Sequence, residues 1–218
     1  MWEPTGLLVD NAFNVFQAIF DEADDATKRE ALLTAQRDCF AVGLTGVHDA
    51  GLDTGTIALI QRMHEAGELK IRVYAMVSDA PENLAHFAKR GAIQTDRLTV
   101  RSVKVYGDGA LGSRGACLKE PYSDQPDSHG ALLASRDHFM EVARWCDAHG
   151  FQMNTHCIGD SANKVLLDVY GEVLGGTNDN RWRIEHAQVV SAADRALFAR
   201  YSIIPSVQPT HATSAGSL

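Results

Sequence analysis

The sequence predicts an α/β fold built on parallel strands, and three observations carry that reading. Apolar strand-like runs alternate with amphipathic helical patterns along the chain. Several of these runs are β-branched and apolar on both faces, as strands covered by helices must be. Strand starts recur mostly every ~20–30 residues, the length of one β-α unit. Six such units in a row fit either a barrel or a doubly wound sheet.

The strands are expected at "LTGVHDAG" near 44–51, "IRVYAMV" at 71–77 and "LTVRSVKVYG" at 98–107. Three more follow at "FQMNTHCIG" (151–159), "RWRIEHAQ" (181–188) and "YSIIPSVQP" (201–209). Between them, Phe139, Val142, Ala143 and Cys146 recur at i, i+3, i+4 and i+7, one face of a helix that Gly150 stops. Ala162, Val165, Leu166, Val169 and Val173 do the same in the next helix. "SDAP" at 78–81 reads as a helix start with Pro in the first turn, and "SAAD" at 191–194 as a capping box. The charge run "DEADD" at 21–25 reads as a solvated loop or helix surface.

Composition bounds the function. With 45% hydrophobic and 22% charged residues, the 218-residue chain reads as one soluble domain over 1–218 with a sizeable core. A net charge of −8 and the lack of a Lys/Arg cluster argue against a nucleic-acid partner. No apolar run approaches the roughly 20 residues that cross a bilayer, and no signal-peptide pattern opens the chain. Cys39, Cys117, Cys146 and Cys157 are widely spaced and form no C-x-x-C, so a reduced, cytoplasmic setting is expected.

The polar residues gather at predicted strand ends. His48 and Asp49 close the first strand, Lys104 nears the end of the third, His156 and His186 close the next two, and His211 follows the last. In parallel α/β folds ligands bind beyond the carboxyl ends of the strands, so these residues are expected around one mouth. A lone strand-end His is usually a hydrogen-bonded structural residue. Two on consecutive strands, with a Lys among valines, point to a site. Alternation sets His156 on the face of Asn154 with Cys157 opposite, and His186 on the face of Ile184 with Glu185 opposite.

About 45 residues separate "VKVYG" from "FQMNTH", and the excess, rich in Gly, Pro, Asp and Ser, lies over 107–133. A long loop there usually touches substrate or covers a site. The competing reading is a surface insertion. Imidazoles suit zinc and related ions. Lys104 is a poor ligand as an ammonium, and an unpaired buried charge is costly. Reacted with carbon dioxide as a neutral amine it becomes a carbamate, a carboxylate on a long stem able to bridge two cations.

The motifs "KVYGDGALGSRGACLKEPYSD", "THCIGDSANKVLLD", "RWRIEHAQ" and "PSVQPTHATS" resemble the amidohydrolase superfamily, in particular the amidohydrolase-3 group that includes N-substituted formamide deformylase. The resemblance runs from "PTGLLVDNA" to "HATS". It implies a (β/α)8 barrel beside a small β-sandwich. It also implies one or two divalent metals, most simply Zn, held by a carboxylated lysine and two histidines: by position Lys104, His156 and His186. Amide-like, non-peptide C–N bonds would be hydrolysed by a metal-activated hydroxide. No H-x-H pair precedes "LTGVHDAG", and no Asp-bearing eighth strand or sandwich segment is found. The expectation is therefore a partial TIM barrel, about strands two to seven, an internal piece of a longer enzyme with an incomplete site; "AGSL" departs from the pattern. The alternative is a folded fragment or α/β binding module without turnover. The expected partner is a small amide-like substrate, with Asp108 and Arg114 binding it near the metal side and His211 opposite. If the 218 residues are the whole molecule, two open barrel edges would also favour a homo-oligomer; the alternative is that the missing strands come from another part of the protein.

Overall fold

The computed structural model describes residues 23–214; the stretch 4–12 and the tail 215–218 lie outside the described residues, as do the first two residues of the "DEADD" run. The elements run α1 (Asp25–Ala41), β1 (Gly46–Leu52), α2 (Thr54–Glu65), β2 (Arg72–Ser78), α3 (Pro81–Arg90), β3 (Ile93–Gln94) and β4 (Leu98–Tyr106). They continue as α4 (Arg136–His149), β5 (Gln152–Cys157), α5 (Asp160–Leu174), β6 (Arg183–His186), α6 (Arg195–Arg200), β7 (Ile204–Ser206) and α7 (His211–Ser214).

Six strands stand in the order β1-β2-β4-β5-β6-β7, every neighbouring pair parallel. Each new strand joins the same edge, with no reversal of order, so the doubly wound alternative is excluded. The sheet also curls. β1 and β6 are four steps apart, ~19 Å in a flat sheet at ordinary strand spacing. Yet an Arg183 guanidinium nitrogen on β6 lies 3.1 Å from His48 Nδ1 on β1, and the Tyr74 hydroxyl on β2 donates to Gln152 Oε1 on β5. The fold is a partial TIM barrel, a curled six-strand parallel sheet with helices outside.

The short β3 is an addition to the expected pattern. Its two residues pair antiparallel with Thr99 and Val100 of β4, ahead of Ser102, where β5 begins to pair. It thereby supplies partners to backbone groups that β5 does not reach.

The core lies between the outer sheet face and the helices. Val103, Val105, Met153 and Ile184 point outward from the strands and meet Phe139, Ala143, Leu166 and Tyr170 of α4 and α5, all fully buried. Polar atoms inside it are paired: the Tyr170 hydroxyl lies 2.7 Å from Thr155 Oγ1, and the Trp182 indole donates to the Phe151 carbonyl at 3.0 Å. Helix ends follow local chemistry. Asp24, from the charge run, caps α1 by accepting from Thr27 N, and Asp53 caps α2 by accepting from Thr56 N, each at 2.8 Å. Pro81 opens α3, and Gly150 closes α4 in the left-handed region at φ 70°. "SAAD" is not a capping box. The helix begins only at Arg195, and Asp194, whose side chain caps nothing, instead takes hydrogen bonds from Ser191 Oγ and Lys119 Nζ.

Candidate active site at the strand ends

Lys104 projects into the curl from β4, beside Ser78 of β2 and Asn154 of β5 in register. It is 3% exposed. Its Nζ sits 3.5 Å from the centroid of the Tyr106 ring and donates to the Val105 carbonyl at 3.3 Å. Gly51 of β1 lies alongside, at φ 101°, a conformation that favours glycine; a Cβ there would only touch the Tyr106 hydroxyl at 3.6 Å and Lys104 Cγ at 4.0 Å. Burial pulls the ammonium down to about 8, against the opposing pull of Glu185, so a minor but reactive fraction, roughly a tenth at pH 7, is neutral.

His156 follows two residues along β5 from Asn154, on the same inner face, and its side chain is 15% exposed. Burial first, then His186 and Lys104 nearby, push its imidazole down to about 4, so it is neutral at pH 7 with a lone pair to offer. The rings of His156 and His186 meet edge to face at 4.5 Å between centroids. Simple alternation sets His186 with Ile184 on the helix side. The backbone prevents this: His186 and Ala187 both take positive φ, 76° and 41°, which turns the imidazole back to the mouth. His186 Nδ1 lies 2.7 Å from Gln208 Oε1. His211, expected across the mouth, stands instead beside His186 at 5.9 Å between rings. These two histidines and Gln208 line an open cleft of about 490 Å³.

The expected positions of His48 and Asp49 are revised. β1 runs on to Leu52, so both sit mid-strand, His48 in register with Tyr74 and stacked on its ring at 4.6 Å.

Asp108 is fully buried, and its carboxylate is engaged by the main chain. It accepts from Ile158 N and Gly159 N at 2.8 Å and from Cys117 N at 2.9 Å, while Oδ1 lies 3.7 Å from His156 Nε2. The Cys117 carbonyl in turn accepts from Ser161 N and Ala162 N at 3.1 and 3.3 Å, capping α5, which has no side-chain cap of its own. Gly159 makes this contact possible, since a Cβ there would fall 2.0 Å from the Cys117 oxygen. The base of the 107–133 loop is thus a fixed wall next to His156. Arg114 lies farther out, at φ 61° on the exposed part of the loop, paired with Asp124 at 2.8 Å.

Sequence reasoning missed the polar layer beneath the mouth. Arg183 and Glu185, two apart on the inner face of β6, are ion-paired at 2.9 Å, though off hydrogen-bond geometry, with side chains 14% and 12% exposed. Asn154, with its amide oxygen turned to the surrounding donors, accepts from Ser102 Oγ at 3.3 Å and from Arg183 at 3.0 Å. The signal was available: opposite charges at i and i+2 of "RWRIEHAQ" share a strand face.

The donor set fits a divalent cation in part. His156 and His186 offer adjacent imidazoles, and a neutral Lys104 beside them fits better than an ammonium would. Among the described residues no three His, Cys, Asp or Glu side chains gather as a metal-binding group. A third anionic ligand would have to come from a modified Lys104 or from outside the described residues.

A barrel-type sheet with paired imidazoles at the carboxyl ends of successive strands defines a class of site-bearing half-barrels. The chain belongs to the Amidohydrolase family, whose model matches residues 1–217. It is 30% identical to Protein LONG AFTER FAR-RED 3 of Arabidopsis thaliana, over 96% of this chain and 38% of that protein. It is 26% identical to N-substituted formamide deformylase of Arthrobacter pascens, over 92% of this chain and 39% of that one. A crystal structure of an uncharacterized metal-dependent hydrolase from Pyrococcus furiosus superposes with a TM-score of 0.82 at 27% identity, covering 93% of this chain and 42% of that one. The chain therefore spans about two-fifths of the length of these relatives.

Proposed function

We propose that this chain carries the site-bearing strands of a metal-dependent hydrolase that cleaves amide-like, non-peptide C–N bonds in small molecules. The observation that carries the reading is the convergence of two neighbouring imidazoles, one held neutral by burial, with a buried lysine whose amine is readily neutral. Family membership and the likeness to a metal-dependent hydrolase support it.

In this reading Lys104, His156 and His186 hold a divalent cation, most simply Zn, which when bound polarises a carbonyl and acidifies water. The neutral Lys104 amine attacks carbon dioxide; an N–C bond forms, one proton leaves, and the resulting carbamate supplies the anionic oxygens that the imidazoles lack. Asp108 shapes the mouth through the main chain, while His211 and, from the loop, Arg114 are the side chains offered to substrate. A setting in the cytoplasm belongs to the same reading, and so does self-association if these strands make up the whole sheet, since β1 and β7 each pair with one neighbour among the described residues.

The test is metal titration of the purified chain by calorimetry, with ¹³C-bicarbonate present and carbamate read by ¹³C NMR. Stoichiometric zinc uptake, abolished in His156→Ala, and a carbamate signal absent from Lys104→Met are expected. A chain that takes up no zinc at millimolar concentration would overturn the proposal. Hydrolysis of N-substituted formamides and cyclic amides, assayed on a longer chain containing this one, then sets the substrate class.

A further inference from the structure

The backbone at His186 is held in a conformation that needs a reason. Two successive residues with side chains, His186 and Ala187, occupy the left-handed region. Such conformations are unfavourable for residues with a Cβ and persist where the surroundings over-determine them. Here the surrounding group is Gln208, just beyond β7. Its Oε1 lies 2.7 Å from His186 Nδ1, the firmest polar contact recorded for that ring among the described residues. The carboxamide is itself oriented, since its Nε2 points to the Ser206 carbonyl at 3.5 Å, which leaves the oxygen for the imidazole. Pro209 follows and biases Gln208 toward extended backbone, so the side chain departs from a constrained position.

An amide oxygen accepts and cannot donate. A neutral His186 facing it must carry its proton on Nδ1 and its lone pair on Nε2. We infer that Gln208 is a positioning residue that locks His186 in the Nδ1–H tautomer and aims its Nε2 lone pair at the mouth. The inference deepens the metal-site reading, because a fixed tautomer is what a ligating imidazole requires, and outer partners of this kind typically tune affinity 10- to 100-fold. The tautomer itself does not depend on metal.

The experiment uses the full metal-free chain, ¹⁵N-labelled on histidine, in long-range ¹H–¹⁵N correlation spectra at mildly alkaline pH. The His186 signal is assigned by its loss in His186→Ala. Wild type is expected to show a protonated Nδ1 and an unprotonated Nε2. Gln208→Leu should shift the ring toward the Nε2–H form, and Gln208→Glu, which keeps an acceptor, should restore the Nδ1–H form. Zinc affinity by competition with a chromophoric chelator should fall roughly 10- to 100-fold in Gln208→Leu and much less in Gln208→Glu. A wild-type His186 protonated on Nε2 overturns the inference even if both variants fail to fold, and so does a tautomer unmoved in a folded Gln208→Leu. If the tautomer is as expected but wild type binds no zinc, the positioning role stands and the metal reading falls.

Discussion

The two faces of the same strands carry opposite chemistry. On the outer face Val103, Val105, Met153 and Ile184 pack against helices, and the few polar atoms there, such as the Thr155 and Tyr170 hydroxyls, are paired with one another. On the inner face Ser102, Lys104, Gln152, Asn154, Arg183 and Glu185 form a polar layer below the histidines. Stability of the outer face scales with buried apolar area, whereas the inner face holds only while every charge keeps its partner. The same strand alternation that anchors the sheet to its helices therefore delivers the reactive groups.

Substitutions can break this contrast, and the largest effect belongs outside. Trp182→Ala removes a fully buried indole packed edge to face on Tyr170 and should cost about 3–5 kcal/mol in urea unfolding. Next is the inner ion pair. Arg183→Met leaves Glu185 without its nearest cation and should cost about 3 kcal/mol, while Arg183→Met combined with Glu185→Leu should recover most of that loss. Equal costs for the single and double variants would show that the layer is held by something other than charge pairing. Asp108→Asn keeps one acceptor oxygen for three main-chain donors and should cost about 1–3 kcal/mol, with faster amide exchange at Cys117, Ile158 and Gly159.

The smallest effect is a pH dependence. Burial lowers the imidazoles of His48 and His64 below their ordinary value of 6.5, Arg183 adding to the effect at His48, and acts in the same sense and further on His156, held at about 4. The unfolded chain then protonates first as pH falls. Stability from these groups is complete above about 6.5 and is lost as pH drops through the depressed native values. The urea midpoint should fall between about pH 7.5 and about pH 5.5, and His64→Gln should flatten the fall. A midpoint that rises on acidification would contradict the burial of these rings.

What could be read from the sequence was what depends on period and punctuation. Strands with alternating apolar residues, the helix ended by Gly150 and the outward turn of Cys157 all follow from local pattern. Family motifs singled out Lys104, His156 and His186 as candidates, but not the route by which His186 reaches the mouth, because a positive φ at a residue with a side chain leaves no trace in a hydropathy pattern. Asp108 read as a substrate contact because a carboxylate beside glycines looks available. Its partners are main-chain amides nine to 51 residues away, and amides carry no sequence signal. The two-residue β3 lies below the length at which alternation can be seen.

The loop over 107–133 is joined to the barrel by the Cys117 carbonyl seated on the first turn of α5, by the Asp108 carboxylate and by Lys119, and is closed on itself where Gly130 lies so close to Ala116 that a Cβ would fall 2.0 Å from its oxygen. Apart from Asp108 and Lys119, that attachment consists of peptide groups and glycines, which do not depend on the identity of the side chains farther out. The exposed stretch around Arg114 and Asp124 is thus a replaceable cassette on a permanent mount. That stretch could be exchanged alone, leaving Gly107, Asp108, Lys119, Gly130 and Gly159 untouched, and the packing of the paired imidazoles would not register the change.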